Sequence, residues 1–284
     1  MKHLNLERII GKVEDLPTLP RSILKITELI NNPKSSARDL ARVISDDHIL
    51  TARLLRLVNS AFYGFPQRIS TVTSAIVLLG FDSIRNLLLT TSIFSLFSDR
   101  KKKIKLKREE LWDHSIGCAV AAKVIGTYLR YERIEELFVS GLLHDIGKII
   151  EILYLPGNFV KIDSIVEDEG ILIINAEERV QGYTHADIGK LLAERWNLPS
   201  KIVAVIAHHH EPFRTEIFRK EASIIHFADI LCRALSFGSG GDDKIPLIDS
   251  NIFDLLGLSF TDIEPIINDI EAEFFHINSS INLS

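Results

Sequence analysis

Apolar residues recur at helical spacing along most of the chain. In SSARDLARVISDD, Leu40, Val43 and Ile44 fall on one helix face behind serines suited to cap a helix, and HILTARLLRLVNS repeats the pattern. Only ILII at 171–174 resembles a strand, and it is too short to imply a sheet. The pattern therefore predicts an all-α protein, built as a multi-helix bundle.

Polar and glycine-containing stretches divide this pattern into two predicted domains. Helices over 71–79 and 82–97, the first stopped by Gly80, complete an N-terminal helical subdomain at 1–98. DRKKKIKLKREE follows, and we interpret it as a solvated linker or helix start, with a phosphate-attracting patch as the alternative. The second domain, 99–284, contains GSGGDD at 238–243, a candidate mobile loop. The helices predicted there cover 112–129, 134–143, 161–167, a segment begun by a capping box of Asn175 and Glu178, then 184–196 capped by Thr184, 199–208, 220–237 and 261–276.

The composition is typical of a soluble globular protein. The 284 residues are 46% hydrophobic, which is enough for a sizeable core. The formal charge of −5 gives no general attraction to nucleic acid or anionic lipid. No run of about 18 apolar residues is present. Two cysteines, Cys118 and Cys232, are too few for a disulfide framework, so we interpret them as small core residues. We expect a cytoplasmic protein without a membrane segment.

Polar residues that do not fit their apolar surroundings form a set. SGLLHDIGKII carries His144, Asp145 and Lys148 in a segment with the composition of buried helix, where charged groups are costly. Imidazole and carboxylate ligands suit divalent zinc, manganese, iron or nickel, and a helix bundle can bring them together. For each residue taken singly, the alternative is a hydrogen-bonded core residue. The histidines at a helix end could also be there because the helix dipole favours a positive charge at the C-terminus. The other members of the set are His114, His185, His208, His209, His210 and Asp229.

The order of these residues resembles the HD phosphohydrolase superfamily. Its motif runs His, then His-Asp, then a distal Asp, and is matched here by His114, by His144 with Asp145, and by Asp229. LPTLP at 16–20, NSAFYGFPQRISTVTSAIVLLG at 59–80 and HHHEP at 208–212 narrow the resemblance to the HDOD group, an HD-related output domain of bacterial signalling proteins. The resemblance implies an HD-like helical core preceded by the helical subdomain.

The related HD-GYP phosphodiesterases, which cleave cyclic di-GMP at a two- or three-metal centre, extend the implied site. His185, His209 and His210 match their further histidines, and Lys148 matches the lysine that holds substrate phosphate. Glu110 stands where some of these enzymes carry an additional carboxylate ligand. The Gly-Tyr-Pro signature is absent, and a cysteine three residues after the distal aspartate replaces a second aspartate. Both departures argue against hydrolysis of cyclic di-GMP specifically.

The resemblance implies one or two divalent cations with Asp145 as the bridge. His114, His144 and Asp229 would surround one ion, and the three further histidines would surround the other. Two cations would activate a water molecule toward phosphorus, and Lys148 would stabilise the phosphoryl charge, which makes Asp145 and Lys148 the predicted catalytic residues.

Two functions from different classes follow from this resemblance. HDOD proteins are generally regulatory, which implies a signalling module that binds a protein partner and uses its metals to hold distant helices together. The alternative is a metal-dependent phosphohydrolase acting on a phosphorylated small molecule or nucleotide. In NSAFYGFPQ, we expect Phe62, Tyr63, Phe65 and Pro66 to pack the subdomain on the core, with a docking surface as the alternative.

Overall fold

A computed structural model describes residues 25–26, 28–29, 32, 34–59, 63, 65, 67–97 and 102–281. Helix is the only regular secondary structure within these ranges, which confirms the all-α prediction. None of the helices described is both long enough and apolar enough to cross a membrane. The predictions that rest on LPTLP, Phe62 and Pro66 lie outside the described residues.

The helices from residue 37 onward are numbered here in chain order. They divide into a smaller unit, described over 25–97 and 271–281, and a larger unit, described over 102–270. Their bounds are α1 Ala37–Ser45, α2 His48–Val58, α3 Val72–Phe97, α4 Lys102–Tyr128, α5 Ile134–Leu143, α6 Ile146–Tyr154, α7 Pro156–Glu169, α8 Ile173–Gln181, α9 His185–Arg195, α10 Ser200–His208, α11 Arg219–Ala234, α12 Asn251–Leu256 and α13 Phe260–Ile281, with a 3-10 turn at Pro212–Arg214.

The smaller unit contains α1, α2 and α3. Ser36 caps α1 by a capping box, because its side chain accepts from the backbone of Asp39 while the Asp39 carboxylate accepts from the backbone of Ser36. Leu40 and Ile44 are fully buried on the face that the periodicity predicted. Gly80 adopts φ 81° and ψ 168°, so it interrupts α3 at the point where the sequence predicts a stop.

The larger unit packs α4 against α5 and α11, and packs α9 against α6 and α10. Helix α4 starts at Lys102, ten residues before its predicted start, so most of DRKKKIKLKREE forms the helix start that was one of its interpretations. Cys118 and Cys232 are unpaired and fully buried, which confirms them as small core residues. The helices α6 and α12 were not predicted as separate elements.

The predicted start of α8 is wrong. The helix begins at Ile173 and has no side-chain cap of its own, so Asn175 lies inside the first turn. The backbone N–H of Ile173 instead donates to the Asp242 carboxylate at 2.9 Å, and a residue from the GSGGDD loop thereby performs the capping role. The guanidinium of Arg233 holds the same carboxylate at 3.0 Å, so the candidate mobile loop is anchored at its buried aspartate.

Helices α6 and α9 approach each other at backbone distance. A Cβ added to Gly147 would lie 1.9 Å from the carbonyl oxygen of His185, which is closer than any real contact. The glycine therefore lets the start of α6 lie directly against the start of α9. This approach brings the His-Asp segment that precedes α6 next to His185.

Gly147→Ala is expected to lower the free energy of unfolding by about 3 kcal/mol, since the two helices must separate to admit a methyl group. Gly157→Ala is the matched control, because a Cβ there has no neighbour within 4 Å and α7 gains a better helix former. Urea denaturation of both variants checks this expectation. Equal effects at the two glycines would contradict the close approach.

Candidate metal centre

The seven predicted metal ligands converge in the larger unit. Helices α4 and α11 supply one residue each, the junction between α5 and α6 supplies two, the first residue of α9 supplies one, and the end of α10 supplies two. These residues form two groups, and within each group one ligand atom from each residue lies within 4.8 Å of those of the other members. The first group is His114, His144 and Asp229, and the second is Asp145, His185, His209 and His210.

Asp145 faces both groups. Its Oδ2 lies 3.3 Å from Nε2 of His144 and 3.6 Å from Nε2 of His114. Its Oδ1 lies 3.2 Å from Nε2 of His185 and 3.6 Å from Nε2 of His209. A carboxylate with one oxygen toward each group has the geometry of a bridging ligand, which is the role that the family resemblance implies for Asp145.

Backbone carbonyls fix the tautomers of two histidines. Nδ1 of His144 lies 2.6 Å from the carbonyl oxygen of Gly141, and Nδ1 of His209 lies 2.9 Å from that of Ile206. A carbonyl oxygen only accepts, so both Nδ1 atoms carry a proton, and both Nε2 atoms face the centre. Burial lowers the pKa of His209 to about 4, so that ring is a neutral ligand at pH 7.

His185 is oriented by a buried carboxylate. Its Nδ1 lies 2.8 and 2.9 Å from the two oxygens of Glu177, which also accepts from the backbone N–H of His185 at 2.9 Å. Burial disfavours the charged imidazole, but Glu177 outweighs it and raises the pKa of His185. The sequence reasoning missed Glu177. Its signal was a charged residue beside Ile173 and Ala176 on the buried face of α8.

Three imidazole nitrogens meet in the second group. Nε2 of His185 lies 2.9 Å from Nε2 of His210 and 3.4 Å from Nε2 of His209. Glu177 and the Ile206 carbonyl accept from the Nδ1 atoms of His185 and His209, so when both rings are neutral their Nε2 lone pairs point at each other, which is repulsive. A cation among these nitrogens would accept the lone pairs, so the donor set fits a divalent metal.

Buried atoms of both groups lack hydrogen bonds. Among the described residues, neither Nε2 of His144 nor Oδ1 of Asp145 has a hydrogen-bond partner. Nε2 of His114 lies 3.1 Å from Oδ1 of Asp229 without meeting hydrogen-bond geometry. Metal bonds of about 2.1 Å at angles of roughly 90–110° would place two ligands of one cation about 3.0–3.4 Å apart. Nε2 of His114 and Oδ1 of Asp229 therefore also fit a shared cation.

Both carboxylates of the centre are ionised. Burial alone would raise the pKa of Asp229, but the Arg233 guanidinium at 3.0 Å outweighs burial and holds that pKa well below its usual range. Burial alone would also raise the pKa of Asp145, but His144 and Lys148 outweigh burial and hold that pKa well below its usual range. The centre therefore offers two buried negative charges to a cation.

Lys148 is committed to Asp145. Its Nζ lies 2.6 Å from Oδ2 of Asp145, and the lysine is only 2% exposed. It lines a cavity of about 340 Å³ whose other charged residues are mostly acidic. Those residues are Glu110, Asp163, Glu167, Asp242, Asp243 and Lys244.

Glu110 and His208, the two residues whose ligand role the sequence left open, belong to neither group of the described residues. Glu110 lines the cavity beside Lys148, and its carbonyl oxygen accepts from the backbone N–H of Ser239 at 3.0 Å. His208 lines a separate, open surface cavity with Lys190 and Glu194. The structure therefore gives neither side chain a place among the candidate ligands.

The fold and this His-Asp centre define an all-helical protein of the HD type. The family model of the HDOD domain matches residues 16–212, which is more than half of the chain. The chain belongs to the HDOD family, and the resemblance noted in its motifs is confirmed.

Two solved structures share this fold, and one of them is an HDOD protein. An HDOD domain protein of unknown function from Geobacter sulfurreducens is 29% identical, with 98% of this chain and 97% of that chain covered and a TM-score of 0.78. A candidate phosphohydrolase from Shewanella amazonensis SB2B shares the fold at 24% identity, 96% and 97% coverage and a TM-score of 0.72. An uncharacterised protein from Treponema pallidum (strain Nichols) is 28% identical over 84% of this chain. The matched region spans 46% of that protein's length.

Glu177→Gln is expected to weaken cation binding by about 10–100-fold, because His185 loses the carboxylate that fixes its tautomer and raises its basicity. Titration with Zn²⁺ or Mn²⁺ followed by calorimetry measures the change. Glu178→Gln is the control, because this substitution removes the same charge from the exposed face of α8. Equal affinities in the two variants would contradict the orienting role.

Proposed function

We propose that this chain is a bacterial signalling module whose larger unit is held together by two divalent cations and that acts by binding a protein partner. The observation that carries the proposal is the burial of the ligands. Every candidate ligand except His210 is at most 2% exposed, and together they come from helices far apart in the sequence. Such a centre is built to join helices, and only His210 is partly exposed.

The residues divide this structural work among themselves. Asp145 connects the two groups, Glu177 orients His185, and Arg233 holds Asp229 toward the first group. The cations, when bound, supply the positive charge and the coordination bonds that fix these ligands in one core. Iron, manganese, zinc and nickel all suit this ligand set. The membership of the chain in the HDOD family supports a cytoplasmic signalling partner.

A metal-dependent phosphohydrolase is the second candidate function. It is favoured by a cavity of about 460 Å³ that reaches His210, since a substrate there would meet the centre. The pairing of Lys148 with Asp145 and the acidic surroundings of the cavity beside Lys148 weigh against it.

Phosphoesterase assays separate the two functions. Protein loaded in turn with each of the four metals is incubated with p-nitrophenyl phosphate and bis(p-nitrophenyl) phosphate, with the Asp145→Asn variant as the matched control. The proposal predicts equal, background rates for both proteins. Turnover that requires the metal and disappears in Asp145→Asn would overturn it and establish the hydrolase.

A further inference from the structure

The GSGGDD loop, at 238–243, lies against the backbone of a candidate ligand. Gly238 has φ 65°, and a Cβ there would lie 2.1 Å from the carbonyl oxygen of Glu110 and 2.4 Å from the backbone nitrogen of His114. Only glycine fits so close an approach at a positive φ. The backbone N–H of Ser239 donates to the same carbonyl at 3.0 Å. The loop is therefore fixed to α4 at the turn that ends at His114.

Asp242 is the buried polar residue of this loop, with a side chain that is 1% exposed. Its Oδ1 accepts from Nη1 of Arg233 at 3.0 Å and from the backbone N–H of Lys244 at 2.9 Å. Its Oδ2 accepts from the backbone N–H of Ile173 at 2.9 Å. The carboxylate thus connects α11, α8 and the loop itself.

Arg233 lies between Asp242 and a candidate ligand. Its Nε donates to Oδ1 of Asp229 at 3.0 Å, and its side chain is only 4% exposed. A buried guanidinium whose sole partner was Asp229 would cancel the charge that this ligand offers to a cation, and would repel the cation. The second carboxylate, from Asp242, keeps the summed charge of the three side chains negative.

Asp242 also holds the start of α8. Ile173 is the first residue of this helix, and Glu177, one turn later, lies 2.8 Å from Nδ1 of His185. A shift of the helix start would displace the carboxylate that orients this histidine. Asp242 is thereby connected to the first ligand group through one guanidinium and to the second through one helix.

We infer that Asp242 is a positioning residue of the metal centre and that bound cations and the GSGGDD loop stabilise each other. Asp242 supplies the counter-charge of Arg233, so that Asp229 keeps its charge for a cation. A bound cation takes up much of that charge, and Arg233 then depends more strongly on Asp242. By thermodynamic linkage, each of the two events favours the other. The inference rests on the proposed function, because it requires that the centre binds cations.

Substitution of Asp242 tests the positioning role. Zn²⁺-loaded protein with isotope-labelled histidine is titrated with EDTA, and the NMR signals of the rings in each ligand group report the loss of its cation. Asp242→Asn should weaken Zn²⁺ binding at the first group by about 10–100-fold, the effect typical of residues that support metal ligands, and by a smaller factor at the second group. The ring signals of folded molecules give the affinity, so a loss of stability alone would not change it.

Asp243→Asn is the matched control, because it removes the same charge from an exposed position of the same loop. It should leave both affinities unchanged. Equal affinities at the first group in Asp242→Asn and Asp243→Asn would overturn the positioning role.

Hydrogen exchange in the wild-type protein decides the question if Asp242→Asn does not fold. Zn²⁺ loading, compared with EDTA treatment, should slow exchange at the backbone N–H of Ile173 about tenfold more than at that of Asn251. Asn251 is held in the same way, by the Asp249 carboxylate at the start of α12. Equal slowing at the two amides would refute the coupling. Wild-type protein that binds no Zn²⁺ would overturn the proposed function too, whereas Zn²⁺ binding that is insensitive to Asp242→Asn removes only this inference.

Discussion

Asp145→Asn is expected to abolish binding of both cations and to lower the free energy of unfolding by about 3–5 kcal/mol. Each oxygen of this carboxylate faces one ligand group, so its charge serves both. The same carboxylate is the partner of Lys148 at 2.6 Å, and an amide would leave a buried ammonium without its counter-charge. Elemental analysis and urea denaturation measure the two effects.

A second substitution separates these effects. In Asp145→Asn with Lys148→Met, the stranded charge is gone and an unbranched apolar chain fills its place. We expect only the part of the lost stability that the stranded charge causes to return, while cation binding and its contribution to stability stay absent. If stability does not recover, the loss in the single variant comes from the missing cations, and the ion pair contributes little. Full cation content in either variant would contradict the bridging role of Asp145.

Removal of the cations by a chelator is the second large expected effect. A ligand that binds only the folded chain stabilises it by about 2.7 kcal/mol for one site at a free concentration 100 times its Kd. Two occupied sites should therefore raise the unfolding midpoint substantially, and dialysis against EDTA should lower it. Measured by thermal unfolding, the midpoint should rise again with added metal, in proportion to the logarithm of its concentration.

Asp229→Asn serves as the control for this experiment. Asp229 belongs to the first ligand group only, so the variant should keep the cation of the second group and show about half of the chelator effect. An EDTA-treated protein as stable as the untreated one would show that the helices hold together without cations. A chelator effect of the same size in Asp229→Asn would argue for a single site.

Local sequence signals predicted much of the helical framework. Ser36 and Thr184 each cap a helix as their positions indicate, both through a capping box. Gly80 interrupts α3 as expected. Local rules failed at α8, because its first N–H is bound by Asp242, 69 residues further along the chain. No pattern within the window of one helix reports a cap supplied from so far away.

The candidate ligands were accessible to sequence reasoning because each is a polar residue in an apolar segment. Their division into two groups was implied by the family resemblance, whereas the placement of one Asp145 oxygen toward each group depends on how α6 lies against α9. Glu177 was missed because a glutamate on a helix is ordinary, and only burial against His185 reveals its role. The catalytic roles of Asp145 and Lys148 remain predictions.

The most direct test of the account is elemental analysis of the purified protein, expressed as metal ions per chain. Two ligand groups joined by Asp145 predict two divalent cations per chain in the wild-type protein, one in Asp229→Asn and none in Asp145→Asn. Wild-type protein that contains no metal, and takes up none when supplied with iron, manganese, zinc or nickel, would contradict it.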